Sequence, residues 1–122
     1  EDEQKAITAM ANNLKSEGIL IVDFMNVKKV IANLVLNEQK VIEKITFNIK
    51  RKVERGHIIK DIEIIDGTKK QHFQEKVKAL TLTDFSTFIS NAGLEIIDIF
   101  GDYNLEDFNA IFSDRLILIC KK

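Results

Sequence analysis

With 122 residues, the chain is one domain or part of one, large enough for a hydrophobic core but small for a doubly wound enzyme. Charged residues are 30% and apolar residues 45% of the sequence, with a formal net charge of -1. This excludes a disordered chain and leaves no global basic excess to draw nucleic acid. No apolar run approaches the roughly 18 residues of a membrane span, and no signal-peptide pattern opens the chain, so the sequence reads as cytoplasmic.

In chain order, Asp2 to Ser16 places Ile7, Met10 and Leu14 at helical spacing beside Ala6 and Ala11, with acidic residues in the first turn. The opening Glu1-Asp2-Glu3 has no initiator methionine, as expected of a trimmed or excised piece. Gly18-Ile-Leu-Ile-Val-Asp-Phe-Met-Asn26 follows. Its Ile19 to Val22 do not alternate with polar residues, which predicts a strand buried on both faces in the middle of a sheet. Asn26 then caps a helix with an apolar stripe of Val27, Val30, Ile31, Leu34 and Val35, and Asn37 ends it.

From Val41 the period changes to two. Ile45, Phe47 and Ile49 alternate with polar residues in a strand running to about Val53, and Glu54-Arg55-Gly56 makes a turn. Ile58, Ile62 and Ile64 mark a second strand, and Asp66-Gly67 a second turn. A third strand carries Phe73, Glu75, Val77 and Ala79 on one face. The expectation is a three-stranded antiparallel meander with one wet face. Thr83 is the predicted N-cap of a helix buried through Phe85, Phe88, Ile89 and Ala92, and Gly93 its left-handed end. Leu94 to Phe100 and Arg115 to Lys121 are two more continuous strands joined by a long loop. The single cysteine, Cys120, lies in the last of them and reads as a buried thiol; no metal-ligand cluster accompanies it.

Leu14-Lys15-Ser16-Glu17-Gly18 followed by the apolar strand resembles the approach to the fifth strand of class I, Rossmann-like, S-adenosylmethionine-dependent methyltransferases. Thr83-Asp84-Phe85, Asn91-Ala92-Gly93-Leu94-Glu95-Ile96, Phe100-Gly101-Asp102-Tyr103 and Ser113-Asp114-Arg115 resemble the tail of the same enzymes. The resemblance implies an α/β fold comprising the C-terminal portion of that sheet, strands five to seven, with the last two an antiparallel pair. Three segments follow from it: residues 1–40 as helix, strand and helix of the core, 41–81 as an inserted lid on the acceptor side, and 82–122 as the closing helix and strands.

The same resemblance implies methyl transfer from S-adenosylmethionine to a small-molecule acceptor. The glycine-rich loop that family uses for its cofactor is not in these residues, because the five glycines are scattered singly. The isolated chain is therefore expected to bind no cofactor tightly and to be inactive. No catalytic residue and no metal ligand is assigned.

Asp23, Met25 and Asn26 follow the carboxyl end of the strand, where ligands of open α/β sheets bind, and with Tyr103 of the long loop they are the candidate substrate contacts. Asp23 and Asn26 also suit helix capping, and Tyr103 suits packing over the last strands. Arg115 resembles the arginine of that family's Ser-x-Arg arrangement, which implies a structural role, pairing with an acidic group or loop carbonyls. His57 and His72 lie on meander strands without an evident catalytic partner, and the basic residues around them read as a solvated face. The rival expectation is a non-catalytic α+β module that binds a ligand or dimerises; a fragment is expected to self-associate through an exposed sheet edge.

Overall fold

The computed structural model describes residues 2–122. Its elements are α1 (Asp2–Asn13), β1 (Ile19–Met25), α2 (Val27–Ala32), β2 (Asn37–Ile42), β3 (Ile45–Glu54), β4 (His57–Asp66), β5 (Lys69–Lys78), α3 (Leu82–Asn91), β6 (Glu95–Phe100) and β7 (Arg115–Lys121). They divide into two compact units, Glu1–Val30 with Leu80–Lys122, and Ile31–Ala79.

The first unit holds a three-stranded sheet in the order β1-β7-β6. β7 runs opposite to both neighbours, so β1 and β6 are parallel with the final strand reversed between them. The antiparallel pairing expected of the last two strands is present. Strand alternation sends Leu116, Leu118 and Cys120 of β7 to one face, opposite Phe24, Val22 and Leu20 of β1. Ile7 and Ala11 of α1 and Phe85 and Ile89 of α3 pack against them to make the core. The Phe24 and Phe85 rings meet edge to face with centroids 5.3 Å apart. Burial raises the Cys120 thiol pKa, as fits an inert packing residue.

β1 corrects one expectation. Only Leu20, Val22 and Phe24 turn toward the core, whereas Ile19 is 47% and Ile21 62% exposed. The unbroken apolar run suggested two covered faces, but α1 and α3 both pack on the same one. Among the described residues β1 pairs with β7 alone.

The helix ends shift as well. α1 stops at Asn13 rather than Ser16, because the chain must turn sharply into β1. The Gly18 N–H donates to the Lys15 carbonyl at 2.8 Å, and a Cβ on Gly18 would stand 2.7 Å from that oxygen. Met10, expected on the buried stripe, is exposed. The cap of α3 is Thr81, not Thr83. Thr81 Oγ1 accepts from the Asp84 N–H at 3.2 Å while Asp84 Oδ2 accepts from the Thr81 N–H at 2.9 Å, a reciprocal capping box. At the far end Gly93 takes φ +77°, and the Leu94 N–H reaches back to the Ile89 carbonyl at 3.1 Å, closing a Schellman turn.

The second unit is a four-stranded antiparallel sheet, β2-β3-β4-β5, not three-stranded. The helix expected to reach Val35 ends at Ala32, and Asn37 opens β2 instead of terminating a helix. Arg51 of β3 accounts for the change by holding the extended segment alongside itself. Its N–H donates to the Leu36 carbonyl at 2.8 Å, and its guanidinium to the Val35 carbonyl at 3.2 Å and to Glu38 Oε1 at 3.0 Å. That bond lowers the Glu38 pKa. The Arg55-Gly56 and Asp66-Gly67 turns stand where the sequence placed them, with Gly56 and Gly67 both at positive φ. β5 is exposed along its whole length.

Candidate functional site

The carboxyl ends of the parallel strands β1 and β6 are the place where open α/β sheets receive ligands, and residues 101–114 cross there from β6 to the start of β7. Three side chains at steps of three, Asp23, Asn26 and Lys29, reach that connection from β1 and α2. Asp23 Oδ2 accepts from the Tyr103 hydroxyl at 2.7 Å and Oδ1 from Arg115 Nε at 3.0 Å. The Arg115 guanidinium stands 6.0 Å from the centre of the Tyr103 ring, so carboxylate, phenol and guanidinium form one cluster. Asn26, 4% exposed, donates from Nδ2 to the carbonyls of Ala110 at 2.9 Å and Ser113 at 2.8 Å. Lys29 Nζ donates to the Phe112 carbonyl at 3.0 Å and pairs with the Asp114 carboxylate.

The connection also braces itself. Asp102 Oδ1 accepts from the N–H groups of Asn104 and Glu106, and Asn109 Oδ1 from those of Ile111 and Phe112. Gly101 has no alternative in sequence: a Cβ there would lie 2.1 Å from Ser113 Oγ. The result is a fixed loop that presents the Tyr103 ring outward, 71% exposed.

Charge and hydrogen bonding set the protonation of the cluster. The Tyr103 hydroxyl, and Arg115 with it, hold the Asp23 carboxyl below the usual carboxylate range against the opposing effect of burial. The same hydrogen bond raises the Tyr103 phenol. Lys29 lowers Asp114. The cluster is therefore an ionised carboxylate with a neutral phenol and a cation, an arrangement that suits binding and orientation of a polar ligand.

These residues do not fit S-adenosylmethionine. A cofactor cradle of the glycine-rich kind needs closely spaced glycines that let backbone approach the ligand, whereas here Gly18 and Gly101 are packed against Lys15 and Ser113, and Gly56, Gly67 and Gly93 close turns or a helix end. Among the described residues no three His, Cys, Asp or Glu side chains gather to hold a metal ion.

No protein-family model and no curated protein matches the sequence. Solved structures do. An S-adenosylmethionine-dependent methyltransferase from Clostridium acetobutylicum matches 97% of this chain with a TM-score of 0.75 at 20% identity, over 50% of its own length. The CcbJ methyltransferase from Streptomyces caelestis matches 96% with a TM-score of 0.77 at 13% identity, over 51% of its length. The sugar N-methyltransferase KedS8 from Streptoalloteichus matches 95% with a TM-score of 0.58 at 14% identity, over 47%.

The chain has the fold of one half of a methyltransferase. It spans about half the length of each structure it matches.

Within this fold, the four residues singled out from the sequence have distinct surroundings. Asp23 and Tyr103 meet directly. Met25 stands opposite Arg115 in the β1–β7 register. Asn26 is the residue preceding α2, and its carboxamide nitrogen is committed to the loop carbonyls. Arg115 pairs with an acidic group, Asp23, as expected of it. His57 lies in the other unit, its Nδ1–H donating to the Arg55 carbonyl at 2.9 Å. Sequence reasoning missed Lys29, whose only signal was its three-residue spacing from Asp23 and Asn26.

Proposed function

We propose that the chain is the C-terminal, acceptor-side half of an S-adenosylmethionine-dependent methyltransferase that acts in the cytoplasm. The complete enzyme would transfer a methyl group to a small molecule. The observation that carries this reading is the sheet order, a reversed final strand between two parallel ones, in a chain that aligns with half of several methyltransferases. Residues 31–79, which include β2 and so begin earlier than the expected boundary at 41, take the part of the acceptor-side insertion, and the segments before and after them that of the core.

Asp23, Met25 and Tyr103 are assigned to acceptor contact, and Asn26 to holding the loop that carries Tyr103. An ionised carboxylate beside an exposed phenol suits an acceptor bearing amine or hydroxyl groups. The neighbour described as a sugar N-methyltransferase supports that class. Methyl transfer from a sulfonium to a neutral amine depends on holding donor and acceptor in line, the carbon–sulfur bond breaking as the carbon–nitrogen bond forms and the proton then passing to water, so a positioning cluster without an acid–base pair is chemically sufficient on this side for an amine. The donor site belongs to the other half, and this chain alone is inactive.

The full reading frame tests the proposal. Residues encoded before Glu1 are expected to include a strand followed by a glycine-rich loop. The expressed product is expected to move a radiolabelled methyl group to a member of a panel of small amines and hydroxylated compounds, with Asp23→Asn or Tyr103→Phe lowering kcat/KM by about tenfold or more. An upstream sequence of unrelated pattern, or no transfer to any small molecule, overturns it.

A further inference from the structure

The four-stranded sheet of the second unit carries two rows of polar residues that cross all its strands, each residue directly opposite the next. Asn37, Lys50, Asp61 and Gln74 make one row, and Gln39, Asn48, Glu63 and His72 the other. The rows lie two residues apart on every strand and so share one face. Within them, amides hold the carboxylates in place. Gln74 Nε2 donates to Asp61 Oδ1 at 2.9 Å, Asn48 Nδ2 to Glu63 Oε1 at 3.1 Å, and Gln39 Nε2 to Asn48 Oδ1 at 2.8 Å. Lys50 stands opposite Asp61, yet its ammonium has no ion pair or hydrogen bond among the described residues. Two adjoining hollows of about 410 and 450 Å³ share Asn37 and Lys50 in their linings; Asn48 and Glu63 also line the first, and Asp61 the second.

We propose that these hollows bind a neutral, polyhydroxylated ligand, a saccharide or a polyol, on residues other than those of the Asp23–Tyr103 cluster. Each amide-held carboxylate keeps lone pairs to accept with, and the Lys50 ammonium has N–H groups to donate. A hydroxyl is the group that uses both, donating to Asp61 while accepting from Lys50. An anion is repelled by Asp61 and Glu63, and a cation by Lys50 and Lys52, so hydroxyls match the lining where neither ion does. Because the carboxylates are already held by amides, less ordering is needed on binding. Neither row has an aromatic ring to stack on a sugar, so hydrogen bonds alone set the affinity, and the Kd is millimolar. Every lining residue falls within 36–63, and both outer strands of the sheet, β2 and β5, belong to this chain. The site therefore does not depend on what stands beside β1, and it stands whether or not the methyltransferase reading does.

The test is a titration of the chain followed by proton–nitrogen correlation spectra, with maltose, methyl glucoside and myo-inositol as probes, and inorganic phosphate and spermidine as an anion and a cation for comparison. Expected is a saturable shift of the Asn37, Asn48, Lys50, Asp61 and Glu63 signals with at least one of the three hydroxylated probes. Lys50→Met and Asp61→Asn each raise the Kd for that probe by about tenfold. Lys69→Met, which removes the same charge from the other face, leaves it unchanged. No saturable shift with any hydroxylated probe overturns the proposal, as does a shift at these residues with phosphate or spermidine alone. The product of the full reading frame is expected to bind the same probe with the same Kd. Binding confined to the isolated chain would mean that the other half covers this face, and that also overturns the proposal. If a variant proves unfolded by circular dichroism, the shifts of the unaltered chain decide.

Discussion

Tyr103 is the only tyrosine in a chain without tryptophan, so an ultraviolet titration reads its hydroxyl alone. Asp23 accepts the hydrogen bond and raises the phenol, so the contact contributes stability fully below the ordinary tyrosine value, about 10, and loses it as pH rises through the raised value. Asp23 is lowered, so its share is present above the ordinary carboxylate value, about 4, and is lost as pH falls through the lowered value. Across neutral pH the pair is intact. The account predicts that Asp23→Asn moves the Tyr103 titration down toward its ordinary value and that the unaltered chain titrates higher; an identical midpoint in both chains counts against the contact. The sequence named Asp23 and Tyr103 as separate candidates, from the end of a strand and the tip of a long loop. Their meeting across 80 residues was not legible, because residue identity carries no information on which loop side chain bends back. Asn26 was legible as a residue of interest but not as a donor to two loop carbonyls, since either helix capping or loop bracing satisfies an asparagine equally well.

At the scale of the element, the helix starting near residue 82 shows how a local rule selects the right helix and the wrong residue. Thr81 and Thr83 both precede an apolar stripe, but only Thr81 stands three positions before an acidic side chain that can return the bond to its own N–H. Thr81→Ala is expected to cost about 1 kcal/mol and to lower Tm by a few degrees, whereas Thr83→Ala stays within about half a kcal/mol. Equal effects in thermal unfolding would place the cap elsewhere. β2 was not legible because Asn37, Glu38, Gln39 and Lys40 show no period-two pattern and the turn after it carries no glycine or asparagine. Glu43 and Lys44 both adopt positive φ, 50° and 69°, a conformation these residues seldom choose unaided. The pairing of β2 with β3 imposes the turn, and pairing energy of that kind is not written in the residues of the turn. The turns at Gly56 and Gly67 were legible for the opposite reason.

For the whole molecule, the motifs near both ends of the chain gave the reversed last strand. Burial could not be read the same way. The run Ile19 to Val22 is apolar enough for a strand covered on two faces, yet the described residues supply helices to one face only, so Ile21 remains 62% exposed. Hydrophobicity records what a segment can bury rather than what is present to bury it. Among the described residues no helix is long and apolar enough to cross a membrane.

The proposal on which the rest depends is that this chain is the acceptor-side half of a methyltransferase and lacks the donor site. Isothermal titration calorimetry of the chain with S-adenosylmethionine tests it most directly. The account predicts no heat attributable to tight binding, whereas a saturable isotherm with a submicromolar Kd would contradict it.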